Sequence, residues 1–104
     1  MNWKEAINQC HDRGTSFSIA TVISATGSTP RGGASKMVVT EAEIFDTIGG
    51  GELEFNVTKS ARKMLDKRVP FQQVEHYPLA TKANQCCGGS VTVLLESFPV
   101  PQNR

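Results

Sequence analysis

Trp3, Ala6, Ile7 and Cys10 recur at intervals of three and four, and Gly14 stands where a helix carrying that stripe would end. The spacing predicts a short amphipathic helix over residues 2–13, with Cys10 as a small core residue on its apolar side. Residues 17–26 alternate and are rich in Ile, Val and Thr, which predicts a strand. Residues 36–40 and 44–48 predict two more. The short link Glu41-Ala42-Glu43 makes these an antiparallel hairpin, although it lacks the usual turn glycine. Leu53, Val57, Ala61, Met64 and Leu65 mark one face of a second helix that opens at Gly49-Gly50-Gly51. Lys59, Arg62, Lys63, Lys67 and Arg68 gather toward its end, where cations suit the helix dipole. Residues 71–77 predict a strand stopped by Pro78. Residues 91–95 predict a central strand buried on both faces.

This order of elements predicts an α+β (α/β-like) fold, a small mixed sheet of about five strands packed with two helices. A chain of 104 residues holds one core. Residues 1–98 are expected to form the domain, and 99–104, with Pro99 and Pro101, a tail or the start of a linker. A formal net charge of +1 without a basic run argues against nucleic-acid or anionic-membrane partners. No apolar stretch approaches the ~20 residues of a membrane helix. Three cysteines without metal-type spacing, and an N-terminus that enters a helix pattern at once, point to a reduced, cytoplasmic setting.

Candidate chemistry concentrates in three loops. Gln85-Cys86-Cys87-Gly88-Gly89 places two soft nucleophiles beside residues without side chains, where backbone can approach a ligand closely. Adjacent cysteines rarely pair with each other, because the ring is strained, so at least one is expected to be a working thiol. Gly49-Gly50-Gly51, between a strand and a helix, exposes N–H groups at a positive helix end and suits an anion; the same glycines equally suit a tight βα turn. Its spacing is not that of a dinucleotide fingerprint. Glu52 and Glu54 work against a phosphate unless turned outward, Glu52 being the more natural dipole partner. Ser28-Thr29-Pro30-Arg31-Gly32-Gly33 offers two hydroxyls and a guanidinium to a phosphate, or is an ordinary polar connection. Taken together the loops favour one shared pocket. His11 and His76 have no evident metal partners.

Residues 20–41 (ATVISATGSTPRGGASKMVVTE), 47–54 (TIGGGELE) and 85–96 (QCCGGSVTVLLE) resemble, in order and spacing, the amino-terminal domain of the XdhC/CoxI family. The resemblance implies an accessory protein of molybdenum hydroxylases such as xanthine dehydrogenase, not an enzyme. Such a chaperone binds the molybdenum cofactor (molybdopterin) as cargo, assists its sulfuration and helps insert it into the apo-hydroxylase. On that reading Ser28, Thr29, Arg31, Gly49, Gly50, Gly51, Gln85, Cys86, Cys87 and Gly88 form the cofactor site. Cys86 and Cys87 are the molybdenum contacts, Cys86 favoured. The implied partners are the hydroxylase apo-enzyme, a cysteine desulfurase, and either a separate Rossmann-like domain, which family members usually carry, or further copies of this chain. An alternative from another class is a thiol enzyme with Cys86 or Cys87 as nucleophile and the glycine turn as anion site, against which stands the lack of a motif-placed histidine base. A third is an interaction module in which the thiols are incidental.

Overall fold

The computed structural model describes residues 2–25, 35–49, 51–78 and 90–100. Helix α1 (Trp3–Arg13) begins at Asn2, whose side chain accepts from Glu5 N–H at 2.8 Å while Glu5 Oε1 accepts from Asn2 N–H at 3.1 Å. This reciprocal capping box closes two of the four donors that every helix leaves unpaired. Gly14 ends the helix in the left-handed region, at φ 66°, as expected of a glycine there. Strands β1 (Phe17–Ala25), β2 (Lys36–Val39) and β3 (Ile44–Asp46) follow, then helix α2 (Gly51–Asp66), β4 (Phe71–Pro78) and β5 (Ser90–Phe98).

The sheet has the order β3-β2-β1-β5-β4. The predicted α+β fold with five strands and two helices is the observed one, and all four strand pairings are antiparallel, so the sheet is not mixed. The expected hairpin β2–β3 forms without a turn glycine because Thr40 does the work. Its Oγ1 accepts from Ala42 N–H and Glu43 N–H at 3.2 and 2.9 Å, and its own N–H reaches Glu43 C=O at 2.9 Å. Arg62 Nε donates to Thr40 C=O at 2.9 Å, so this cation clamps the hairpin and does not merely serve the dipole of α2. Lys67 and Arg68 lie beyond the helix end.

Helix α2 packs across β1, β5 and β2 on one face of the sheet. Val57, Ala61 and Met64 meet Ala20, Val22, Met37, Val39, Val91, Val93 and Leu95, with Ile48 plugging the start of the helix. Helix α1 lies mainly over β2 and β3 on the other face, where Ala6 and Cys10 meet Val38 and, from the start of β1, Phe17. Cys10 is the buried core residue expected of it, and burial pushes its thiol up from the ordinary range. Strand β5 lies inside the sheet as predicted, but only one of its faces is closed. Val91, Val93 and Leu95 are buried under α2, whereas Thr92, Leu94 and Glu96 are half-exposed, because α1 does not reach that half of the other face. Val100 N–H donates to Ser16 Oγ at 2.9 Å, tying the chain just past β5 to the start of β1.

Candidate functional site

The register determines which loops share an end of the sheet. Ala25 pairs with Val91, Thr21 with Lys36, Met37 with Asp46 and Pro78 with Ser90. Strand β1 therefore leaves the sheet at the same end where β2 enters, where β3 runs out toward α2, and where β4 leaves and β5 begins. All three candidate loops of the sequence are anchored at this one end, the glycine end. With strands about 4.8 Å apart, these anchors span roughly 20 Å. Among the predicted site residues, Gly49 and Gly51 are described directly. Ser28, Thr29, Arg31, Gly50, Gln85, Cys86, Cys87 and Gly88 lie outside the described residues, between anchors at 25 and 35, 49 and 51, and 78 and 90.

Two features shape how the first loop leaves. Ile23 is an extra residue between Val22, opposite Val93, and Ser24, opposite Thr92, so β1 carries a bulge just before its end. Bulges bend and twist a strand locally and often stand beside sites. Val22 N–H bonds Ser35 C=O at 2.9 Å, which pins the return of the chain into β2. Nothing in the sequence announces the bulge, since no glycine marks it.

The turn from β3 into α2 is built by Asp46, Thr47 and Glu54. Asp46 adopts φ 69°, and its carboxylate accepts from Thr47 N–H at 2.9 Å and from Trp3 N–H at 3.0 Å. One side chain thus holds the turn and the start of α1 together. Thr47 Oγ1 accepts from Gly49 N–H at 3.0 Å and donates to Glu54 Oε1 at 2.5 Å. Gly49 N–H is therefore already engaged and is not a free donor for an anion. Gly49 has φ 130° and Gly51 φ 66°, conformations that side chains disfavour, and space is open where a Cβ would stand on either. Both readings of the glycines thus have a physical basis: the backbone requires them, and the turn leaves room above it. Among the described residues, no side-chain oxygen accepts from the N–H groups of Gly51, Glu52 or Leu53 at the start of α2. Glu52 is exposed, while half-buried Glu54 is drawn into the turn by Thr47.

Lys36, Asp46 and Thr47 are polar residues at this end that lie outside the predicted site set. Lys36 Nζ donates to Thr21 Oγ1 at 3.1 Å and lies 5.3 Å from the centre of the Trp3 ring, on the face away from α2. Its position at the first residue of β2, two residues after Ala34, was the available signal. His76, near the same end, has Nδ1 2.9 Å from Thr92 Oγ1. On the α2 face of β4, Gln73 and Tyr77 both donate to the Glu75 carboxylate, and Tyr77 OH is 3.5 Å from Ser60 Oγ. Burial, reinforced by the bond to Glu75, pushes the Tyr77 hydroxyl up to about 12, so it stays protonated and donating at neutral pH. No group of three or more His, Cys, Asp or Glu side chains suited to a metal ion occurs among the described residues. A groove of about 530 Å³ runs between α2 and Ile44 of the β3 edge, from Gly51 past Phe55 and Thr58 to Asp66. A second hollow, of about 340 Å³, lies at the opposite end of the sheet near Thr40 and Arg68, away from the candidate loops.

The structure defines a small α+β domain, with one five-stranded antiparallel sheet, two helices, and the strand ends that flank the three glycine-bearing segments all at one end of the sheet. The model of the XdhC and CoxI family matches residues 10–78, about two thirds of the chain, and the chain belongs to that family. The match takes in the Ser28–Gly33 and Gly49–Gly51 segments and ends before Gln85. Uncharacterized protein YqeB of Escherichia coli (strain K12) is 31% identical over 83 residues, covering 76% of this chain and 15% of that protein. The crystal structure of a xanthine dehydrogenase from Bacillus halodurans superposes with a TM-score of 0.67 at 26% identity, over 93% of this chain and 30% of that one. The chain spans less than a third of the length of either relative.

Proposed function

We propose that this domain binds the molybdenum cofactor as cargo, as part of an accessory protein that assists its sulfuration and its insertion into a xanthine dehydrogenase-type hydroxylase. Family membership supports an accessory role in that molybdenum context. The observation that carries the finer reading is the shared anchoring of the three loops at the glycine end. The donor set there fits a phosphate-bearing ligand: the N–H groups of Gly51, Glu52 and Leu53 meet no side-chain acceptor among the described residues, and a positive helix end favours an anion. Ser28, Thr29 and Arg31 would add hydroxyl and guanidinium donors from the first loop. Cys86 and Cys87 would supply soft thiolates to the metal centre that the cofactor brings. Thr47 and Glu54 would set the shape of the turn without contacting the ligand. The partners on this reading are the apo-hydroxylase, a cysteine desulfurase and a Rossmann-like domain, in a cytoplasmic setting.

A thiol enzyme is the second reading, and His76 is its support, since it stands at the same end of the sheet as the anchor of the cysteine loop and could serve as base. Mixing the purified chain with molybdenum cofactor and measuring retention on desalting separates the two. Retention by the parent that falls in Cys86→Ala or Cys87→Ala supports the cargo reading. No retention by the parent rejects it for this domain, and turnover of an electrophile dependent on His76 would favour the enzyme.

A further inference from the structure

The two edges of the sheet are not equally protected. Strand β3 is only three residues long, a common defence against unwanted pairing. Strand β4 is eight residues long and pairs with β5 without a break from Phe71 to Pro78. Between Phe71 and Tyr77 it carries no lysine, no proline and no bulge, and its one carboxylate, Glu75, is held by Gln73 and Tyr77 of the same strand. Among the described residues, no backbone group outside β5 bonds to it. The side chains of Gln73, Glu75 and Tyr77 bond to one another along the strand on the α2 face, leaving the edge itself open.

The sequence of β4 is complementary to itself when reversed. We propose that this edge pairs with the same edge of a second copy, antiparallel about a twofold axis at Val74, making one continuous ten-stranded sheet. In that register Val74 meets Val74 of the partner subunit, Gln73 meets Glu75 of the partner subunit, Gln72 meets His76 of the partner subunit, and Phe71 meets Tyr77 of the partner subunit. An amide faces a carboxylate, an amide faces an imidazole, and two aromatic pairs close the ends, all favourable cross-strand neighbours. Competing registers are worse. A twofold axis at Glu75 sets two carboxylates against each other. An axis at Gln73 sets Phe71 against Glu75 of the partner subunit and loses both the amide–carboxylate and the aromatic pairs. A slip by one residue turns the α2-covered face of one copy to the opposite side in the other. Val74, 49% exposed on the face away from α2, gains cover at the axis.

Light scattering after size-exclusion chromatography, across a concentration series, tests the pairing. The parent is expected to rise to twice the monomer mass. Val74→Lys, which brings two ammonium groups face to face at the axis, is expected to stay monomeric with an unchanged circular dichroism spectrum, while Val74→Thr keeps the parent's behaviour. A parent that remains monomeric at every concentration overturns the proposal, as does a Val74→Lys chain that dimerises like the parent. The register has its own test. Residues directly opposed in antiparallel strands have Cα atoms about 4.5–5.5 Å apart, within disulfide range, so Val74→Cys is expected to cross-link under mild oxidant beyond anything the native cysteines give. A dimer without that additional cross-link contradicts an axis at Val74.

Discussion

The two helices begin in opposite ways. Helix α1 starts closed: side-chain oxygens of Asn2, Glu5 and Asp46 accept from the backbone N–H groups of Glu5, Asn2 and Trp3 at 2.8–3.1 Å. Helix α2 starts with Gly51 at φ 66°, and the nearest polar side chains, Thr47 and Glu54, are occupied with Gly49 N–H and with each other. A capped helix end has little left to offer a ligand, while a glycine-lined one keeps both donors and space. The contrast matters because both ends are tied to the same residue pair, Asp46 and Thr47. Asp46 closes α1, and Thr47 shapes the entry to α2. The sequence spends its capping chemistry on α1, and withholds it from α2, whose start lies at the glycine end of the sheet.

Substitutions at the two ends can break this comparison. Gly49→Val forces a β-branched residue to φ 130° and is expected to have the largest effect, destabilising the chain by about 1–3 kcal/mol in denaturant unfolding. An unchanged midpoint would mean that the turn relaxes easily and its glycines are not required by backbone geometry. Asn2→Ala removes the cap of α1 and is expected to cost about 1 kcal/mol without affecting ligand retention. A loss of retention there would show that the two ends are coupled through Asp46. Thr47→Val leaves Gly49 N–H without its acceptor in an exposed turn, and is expected to cost only about 0.5 kcal/mol. A much larger cost would mean that Glu54, deprived of its donor, disturbs the start of α2.

Much of the architecture could be read from periodicity. The helical stripes of Trp3–Cys10 and Leu53–Leu65, the hairpin and the stop at Gly14 all appear where the pattern placed them. What escaped it depends on contacts between distant segments. The open face of β5 could not be read from its apolar run, because it depends on how far α1 extends across the sheet. The Thr40 turn and its Arg62 clamp replace a glycine with side-chain hydrogen bonds, one of them 22 residues away. The bulge at Ile23 has no composition signal. For the candidate site, the sequence nominates three loops, and only the strand register shows that their anchors share one end. It missed that Gly49 N–H is spent on Thr47 and that Lys36 stands beside Trp3 at that end.

The central claim is that the glycine end of the sheet, not the capped end of α1, receives a phosphate-bearing cofactor. The most direct test compares retention of molybdenum cofactor by the parent, Gly49→Val and Asn2→Ala, each checked for native circular dichroism. The account predicts retention by the parent and by Asn2→Ala, with a loss of at least tenfold in affinity, about 1.4 kcal/mol, for Gly49→Val. Equal retention by all three chains, or none by the parent, would contradict it.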